Sequence, residues 1–308
     1  MVQHSTGRCE VWGAPPPAEI PTHIAITAIQ RHSFTNSCVA KRTFLVLGRD
    51  RTLTYSRIAT HVAIALFIGI LYSGIGMMRG NMLNNFNFMF FTVMFLMLTA
   101  FNCVTTTFPS QLPIIVKEHF NQWYSLGAYY LAVTFADIPI QALATLLYAV
   151  MTYFMTSQPY DAYRFLLFLV MCILISLVSQ SFGMVIGASM DVKNGVIFGP
   201  FCFLPFVIFS GFFVQLSKAH PYMQWLFHTS FLKYSFEGLM LAIFGYDRPK
   251  LPCELEDYCH FVYPQRFLEE MDMSHASYAF SVYFLLGLVL FLRILAFLAL
   301  TIQIRRRR

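Results

Sequence analysis

The chain has 308 residues, of which 57% are hydrophobic and 12% charged, and its mean hydropathy is +0.59. Soluble globular domains carry about 25% charged residues, so this composition excludes an ordinary soluble domain and indicates an integral membrane protein. The net charge of +6 comes from basic residues at the ends of apolar stretches, which argues against a nucleic-acid-binding surface.

Two segments precede the first long apolar stretch. Residues 1–33 contain Pro15-Pro16-Pro17 and lack a basic start followed by an apolar core, so we interpret them as a disordered leader rather than a signal peptide. Residues 34–54 mix apolar side chains with Lys41, Arg42 and Arg49. This pattern predicts a connecting helix lying on the inner leaflet, with an ordinary soluble helix as the alternative.

Six stretches that are long and apolar enough to cross a bilayer follow, since a spanning helix needs about 20 mostly apolar residues. They are Ile58–Gly76, Phe86–Phe108, Tyr129–Phe154, Phe165–Met190, Val196–Leu216 and Ser277–Ile304. The sequence therefore predicts an all-α membrane protein with six transmembrane helices, in which residues 55–308 form one membrane domain.

The connections between these stretches predict which side of the membrane each faces. With both termini in the cytoplasm, the cytoplasmic side carries Lys117, Lys193 and the arginine tail 305–308, as the positive-inside rule requires. The long loop 217–276 is then extracellular. It contains Cys253 and Cys259, which we expect to form a disulfide because an outer loop faces an oxidising compartment.

The outer loop also contains an apolar segment from Tyr222 to Tyr246. Lys233 and Glu237 are embedded in it, and Gly238 and Gly245 interrupt it. The segment predicts a re-entrant hairpin that is buried against protein before the last span. An extracellular helical lid is the alternative.

Motifs for catalysis are absent from the sequence. It contains no G-x-x-x-x-G-K-[ST] phosphate loop, no H-E-x-x-H, no G-x-S-x-G and no Cys/His zinc spacing. Glu118 and His119 are the only adjacent acid and imidazole, which is a weak signal. We therefore expect neither a catalytic site nor a metal site in these residues.

Two charged residues lie inside predicted spans, where such groups are costly. We interpret Asp137 as a residue near the headgroups, and Arg293 as a side chain that snorkels toward the inner face. The pattern is not that of a proton relay.

Two spans have a helical face that suits a transport pathway. Helical spacing places four residues of the second span and two of the fifth on such faces. They are Phe95, Leu98, Thr99, Asn102, Leu204 and Ile208. A lining of this kind suits a flat, hydrophobic ligand better than a sugar or an ion. Ordinary helix packing or lipid contact is the alternative.

Several short strings, in this order, carry a family likeness. They are Lys41-Arg42-Thr43-Phe44, Lys117-Glu118-His119-Phe120, Trp123-Tyr124-Ser125, Met155-Thr156-Ser157-Gln158-Pro159, Phe209-Ser210-Gly211-Phe212-Phe213 and Tyr234-Ser235-Phe236-Glu237-Gly238. From about Phe34 to the C-terminus, the chain resembles the membrane domain of the white-type G subfamily of ATP-binding cassette transporters. It looks most similar to the branch that exports sterols and phospholipids.

This resemblance implies a half-transporter that forms a homo- or heterodimer, with the substrate cavity between two protomers. It implies a cytoplasmic coupling helix around Glu118 and His119, and a valve above the cavity at Phe212 and Phe213. Family members carry an ATP-binding domain ahead of the membrane domain, and ATP and magnesium would bind there. We therefore expect no cofactor in this chain. At the positions of Leu98 and Asn102, the sterol-exporting relatives carry bulkier apolar residues, so this sequence departs from their pattern there.

The leading prediction is the membrane domain of an exporter that moves sterols or other lipids, with its ATPase domain missing from this chain. We expect it in the plasma membrane or an endosomal membrane. One alternative is a motorless, truncated protomer that regulates complete half-transporters. Another is an ATP-independent channel or carrier, although the sequence shows neither ion-coupling residues nor repeated halves.

Overall fold

The structure is a computed structural model that describes residues 51–76, 82–121, 124–246, 248, 264–273 and 276–306. The predicted leader, most of the connecting helix and the Cys253–Cys259 pair lie outside these residues. The described part is helical and contains no strand. Its helices are α1 (Arg51–Leu71), α2 (Met82–Phe120), α3 (Leu126–Met155), α4 (Ala162–Ser189), α5 (Val192–Ile208), α6 (Gln224–Thr229), α7 (Phe231–Phe244), α8 (Pro264–Glu270) and α9 (Tyr278–Arg306).

Five of these helices, α1 to α4 and α9, are long and apolar enough to cross a membrane. The prediction of an all-α, multi-pass membrane protein is therefore confirmed. The predicted fifth span corresponds to α5, which has 17 residues and ends at Ile208 instead of Leu216. Its end has a local cause, because Gly211 adopts a φ of 87°, which turns the chain away from the helix axis.

Helix α2 runs without interruption for 39 residues, through Pro109 and Pro113. The predicted spanning part, Phe86–Phe108, lies within this helix, and the predicted coupling residues Glu118 and His119 occupy its last turn. In the turn before Pro109, the hydroxyls of Thr106 and Thr107 donate to the backbone carbonyls of Asn102 and Cys103, at 2.8 and 2.9 Å.

Helix α4 lies at the centre of the domain and packs against α2, α3, α5, α7 and α9. Its contact with α2 is close because the facing residues are small. A Cβ atom at Gly183 would lie 2.9 Å from the Phe101 carbonyl oxygen, and one at Gly187 would lie 3.2 Å from the Pro109 ring. Small residues of this kind let membrane helices associate through backbone contact.

Helix α7 is buried along almost its whole length. Two arginines outside it donate to carbonyls at its C-terminal end. Arg164 at the start of α4 donates to the carbonyls of Gly245 and Tyr246, both at 2.8 Å. Arg248 donates to the Ile243 carbonyl at 3.3 Å and to the Gly76 carbonyl at 2.6 Å. These bonds fix α7 against α4 and the turn between α1 and α2.

The close contact between α2 and α4 leads to a stability prediction. Gly183→Ala should lower the free energy of unfolding by about 1–3 kcal/mol, because the added methyl group meets backbone and the helices must separate. The midpoint of thermal unfolding in detergent measures this effect. Gly287→Ala in α9 is the control, since nothing lies within 4 Å of a Cβ there. Equal midpoints for the two variants would contradict the predicted contact.

Candidate functional site

The predicted pathway residues of α2 differ in their exposure. Asn102 is exposed, Leu98 and Thr99 are partly exposed, and Phe95 is only 8% exposed. The Thr99 hydroxyl donates to the Phe95 carbonyl at 2.8 Å. Because this hydrogen is already bonded, the Thr99 oxygen can only accept a hydrogen bond from a ligand. The Asn102 amide retains both donors and an acceptor.

The phenyl ring of Phe95 is covered by aromatic side chains of α1 and α3. Its centroid lies 5.3 Å from that of the His61 ring in α1 and 4.9 Å from that of Tyr148 in α3. Phe95 therefore lies at the boundary between the exposed part of the predicted face and the interior of the protein.

Helix α5 has one packed side and one open side. Gly195, Gly199 and Phe203 are buried against α2, and the Phe203 ring lies 4.8 Å from that of Phe101. On the open side, Leu204 is 51% exposed and Ile208 is 47% exposed. The structure thus brings the two predicted lining helices together. We call five of the residues that they carry, the partly exposed Leu98 and the exposed Asn102, Phe201, Leu204 and Ile208, the open face.

The two residues of the predicted valve have different environments. The ring of Phe212 stacks on Phe90 with centroids 3.9 Å apart and an interplanar angle of 9°, and on Phe86 at 5.2 Å. Phe236 of α7 completes this aromatic cluster. Phe213, by contrast, is 61% exposed and touches Phe90 only with an edge-on ring at 5.5 Å. Phe212 is therefore held between aromatic rings, whereas Phe213 is exposed and makes edge-on contacts with Phe90 and Phe212.

The predicted coupling residues lie at the C-terminal end of α2, where Glu118 is held in place. Its carboxylate accepts a 2.5 Å hydrogen bond from the Tyr124 hydroxyl. Tyr124 stacks on Tyr129 of α3, which donates to the Gln111 side chain at 3.0 Å. His119 is partly exposed beside Glu118. The end of α2 is thus braced against the start of α3.

A buried polar cluster, not predicted from the sequence, joins α1, α2, α3 and α4. Arg57 donates to Asp137 at 2.9 Å and to the Cys103 sulfur at 3.0 and 2.6 Å. The other Asp137 oxygen accepts from Gln180. The Arg57 side chain is 5% exposed and that of Asp137 is 18% exposed. The interpretation of Asp137 as a headgroup residue misses this pairing.

Arg293 of α9 extends the same cluster. It donates to the Gln180 side-chain oxygen at 2.9 Å and to Thr134 at 3.4 Å, and it contacts the Met184 sulfur. Because Arg293 is 8% exposed and turned inward, the prediction that it snorkels is wrong. Its backbone carbonyl also accepts from the Tyr130 hydroxyl at 2.7 Å. The cluster thus connects all five spanning helices.

A second buried ionic pair lies in α7, next to the aromatic cluster. Lys233 and Glu237 are 3.7 Å apart and both are less than 9% exposed. Burial raises the pKa of the Glu237 carboxyl to about 7; Asp272 adds to the increase and Lys233 opposes it. Glu237 thus changes charge near neutral pH, one residue away from Phe236.

Among the described residues, no group of three or more His, Cys, Asp or Glu side chains is placed to hold a metal ion.

Comparisons with known proteins agree with this architecture. The sequence model of the ABC-2 type transporter family matches residues 37–244. "Protein white" of Drosophila melanogaster is 27% identical over 275 residues, which cover 86% of this chain and 39% of that protein. "ABC transporter ATP-binding protein/permease wht-1" of Caenorhabditis elegans is 27% identical over 280 residues, covering 85% and 40%. "ABC transporter G family member 1" of Dictyostelium discoideum is 26% identical over 251 residues, covering 79% and 31%. The chain thus spans less than half the length of these relatives.

The polar cluster leads to a prediction for Asp137→Asn. This change should lower the free energy of unfolding by about 3–5 kcal/mol, because it removes the carboxylate that compensates buried Arg57. Asp161→Asn is a matched control, since the Asp161 side chain is 51% exposed and asparagine also caps helices. Thermal unfolding of both purified variants tests this. A loss no larger for Asp137→Asn than for the control would refute the structural role of the cluster.

The pKa of Glu237 leads to a prediction of pH dependence. An unfolded glutamate titrates near 4.5 and the folded one near 7, so the folded protein holds this proton more tightly. Its stabilising effect is complete below pH 4.5 and is lost as pH rises through 7, by about 3 kcal/mol. The midpoint of thermal unfolding should therefore fall between pH 5 and 8, and Glu237→Gln should flatten this slope. Glu269→Gln, an exposed change in α8, should leave the slope as it is; an unchanged slope in Glu237→Gln would contradict the assignment.

Proposed function

The chain belongs to the ABC-2 type transporter family, as a membrane domain of the White-type G subfamily, and from this premise we propose that it exports a sterol or another flat, apolar lipid. The observation that carries the proposal is the open face. It presents large apolar side chains from α2 and α5, with Asn102 as its exposed amide. Such a surface offers a lipid extensive apolar contact and one polar contact.

The energetics restrict how this surface selects its ligand. Apolar burial stabilises a ligand by roughly 25 cal/mol per Å² when the ligand comes from water. A lipid that enters from the bilayer is already in an apolar medium, so most of this term cancels. Selection then depends on the shape of the open face and on hydrogen bonds made at membrane depth, such as those of Asn102.

We propose that the open face is covered by a second membrane domain in the assembled transporter, in a homo- or heterodimer. The support is its exposure: Phe201 is 63% exposed, Leu204 51% and Ile208 47%. In this arrangement α5 makes the sixth membrane crossing, and α6 and α7 form a re-entrant hairpin. The burial of α7 against α2, α4 and α9 supports the hairpin.

The driving force comes from an ATP-binding domain, which holds ATP and magnesium and presses on the end of α2 at Glu118 and His119. The unbroken course of α2 supports this mechanism. At 1.5 Å per residue its 39 residues extend about 58 Å, roughly twice the hydrocarbon thickness of a bilayer. The same continuous helix carries Glu118 at one end and Phe86 and Phe90 near the other. A displacement at Glu118 therefore reaches the rings that hold Phe212.

The proposed valve is tested by separating its two residues. Phe213→Ala should change sterol efflux from cells that make the full-length protein, without lowering the midpoint of thermal unfolding. Phe212→Ala should lower that midpoint by several degrees, because it removes two stacked ring pairs. Phe291→Ala, which truncates an exposed ring of α9, is the control for lost apolar surface. If Phe213→Ala and Phe291→Ala give the same efflux, Phe213 is not part of a valve.

A further inference from the structure

His61 lies in the interior of the domain, on the face of α1 that meets α2 and α3. The residue is 1% exposed, and its ring stands edge-on to those of Phe95 and Tyr148. Its Nδ1 atom lies 2.8 Å from the backbone carbonyl oxygen of Arg57. A carbonyl oxygen can only accept, so this contact places a hydrogen on Nδ1.

The other ring nitrogen is then left as an acceptor. In the neutral imidazole with its hydrogen on Nδ1, the Nε2 atom presents a lone pair. Nε2 has no hydrogen-bond partner among the described residues. The Arg57 guanidinium, one helical turn away, disfavours a second positive charge on the ring. A buried acceptor that is left unpaired costs about 1–3 kcal/mol, so a donor is needed that the described residues do not provide.

The neighbouring hydroxyl groups do not supply that donor. The Tyr148 hydroxyl pairs with that of Thr92 at 3.2 Å. The Thr99 hydroxyl donates to the Phe95 carbonyl. The Arg57 guanidinium is engaged by Asp137 and Cys103.

The Phe95 ring separates His61 from the open face. Phe95 shares its side of α2 with Leu98 and Asn102, is 8% exposed, and contacts the His61 ring. A lipid on the open face can reach Nε2 only if the Phe95 side chain changes its rotamer.

We propose that His61 Nε2 accepts the hydroxyl hydrogen of the transported lipid, an otherwise apolar alcohol of the 3-hydroxysteroid class. This inference rests on the proposed function and adds the contact that recognises the polar end of the ligand. The rings of Phe95 and Tyr148 provide an apolar, aromatic wall, and Nε2 provides one acceptor. An ionised fatty acid has only acceptors to offer and would be repelled by the lone pair. A phosphate headgroup would need a cation, and Arg57 is already paired.

The hydrogen bond would contribute most to selectivity. The apolar rings of the ligand gain little by moving from bilayer to protein, whereas a hydroxyl group taken into an apolar site needs an acceptor. A steroid without the hydroxyl would leave Nε2 unpaired, as the empty site does. The expected preference for the alcohol over the matching hydrocarbon is about tenfold, the effect of a single hydrogen bond.

The test compares the binding of three ligands to the purified full-length protein in lipid nanodiscs. They are cholesterol, its 3-methyl ether and 5-cholestene, which share one ring system. Cholesterol can donate a hydrogen bond, the ether can only accept, and the hydrocarbon does neither. Wild-type protein should bind cholesterol about tenfold more tightly than the ether or the hydrocarbon. If wild-type protein binds cholesterol and the ether with equal affinity, that result alone overturns the proposal.

Two substitutions separate the ring nitrogens. His61→Asn keeps a donor near Nδ1 for the Arg57 carbonyl and has no acceptor at the ε position. This variant should therefore lose the preference for cholesterol over the other two ligands. His61→Gln keeps an acceptor near Nε2 and should retain most of the preference. His228→Asn, at an exposed position of α6, should behave as wild type.

A cholesterol preference that persists in His61→Asn would overturn the proposal and leave a buried water as the partner of Nε2. Binding of none of the three ligands would also overturn it, and with it the proposed lipid substrate. Loss of the preference in His61→Asn with unchanged 5-cholestene binding supports the proposal. The proposed export function is assessed separately by efflux, which can succeed with a different ligand contact.

Discussion

The arrangement of the spanning helices depends on one requirement: a charged or amide group inside a bilayer must find its partner within the protein. Arg57, Asp137, Gln180 and Arg293 meet this requirement by pairing with one another, and each comes from a different helix. Cys103 adds α2. Apolar contact alone discriminates weakly between helix positions in a lipid environment. The polar cluster therefore determines which helices are neighbours and at what depth, and the close glycine contacts of α4 then fit around it.

Once the helices are placed in this way, α2 and α5 are left with exposed surface. The side of α5 with Gly195 and Gly199 is used for the contact with α2, so Leu204 and Ile208 remain on the outside. Both helices also lead to the aromatic cluster, α2 through Phe86 and Phe90 and α5 through the turn at Gly211. The open face, the anchored Phe212 and the exposed Phe213 are thus consequences of one packing arrangement.

The lengths of the apolar stretches predicted most of the fold, because a run of about 20 apolar residues indicates a membrane-spanning helix wherever it lies in the sequence. The positions of the long helices agree with the sequence patterns. The continuation of α2 beyond Pro109 could not be predicted, since a proline inside a helix usually breaks or kinks it and α2 contains both Pro109 and Pro113. The partners of Arg57 and Arg293 are 80 and 113 residues away in sequence, so composition showed the charges and not their pairs. His61 escaped notice because a histidine in an apolar helix gives no sign of which nitrogen is occupied.

The two arginines at the end of α7 have a further mechanical consequence. Through Arg164 and Arg248, the Gly76 turn, the start of α4 and the end of α7 are joined by hydrogen bonds to backbone atoms. This end of the bundle resists separation, whereas Glu118 lies at the far end of the long helix α2. The geometry is that of a pivot with a lever arm: a force applied near Glu118 produces its largest displacement there and a small rotation at the aromatic rings. A small rotation is compatible with the proposed valve, in which the exposed ring of Phe213 lies edge-on to Phe90.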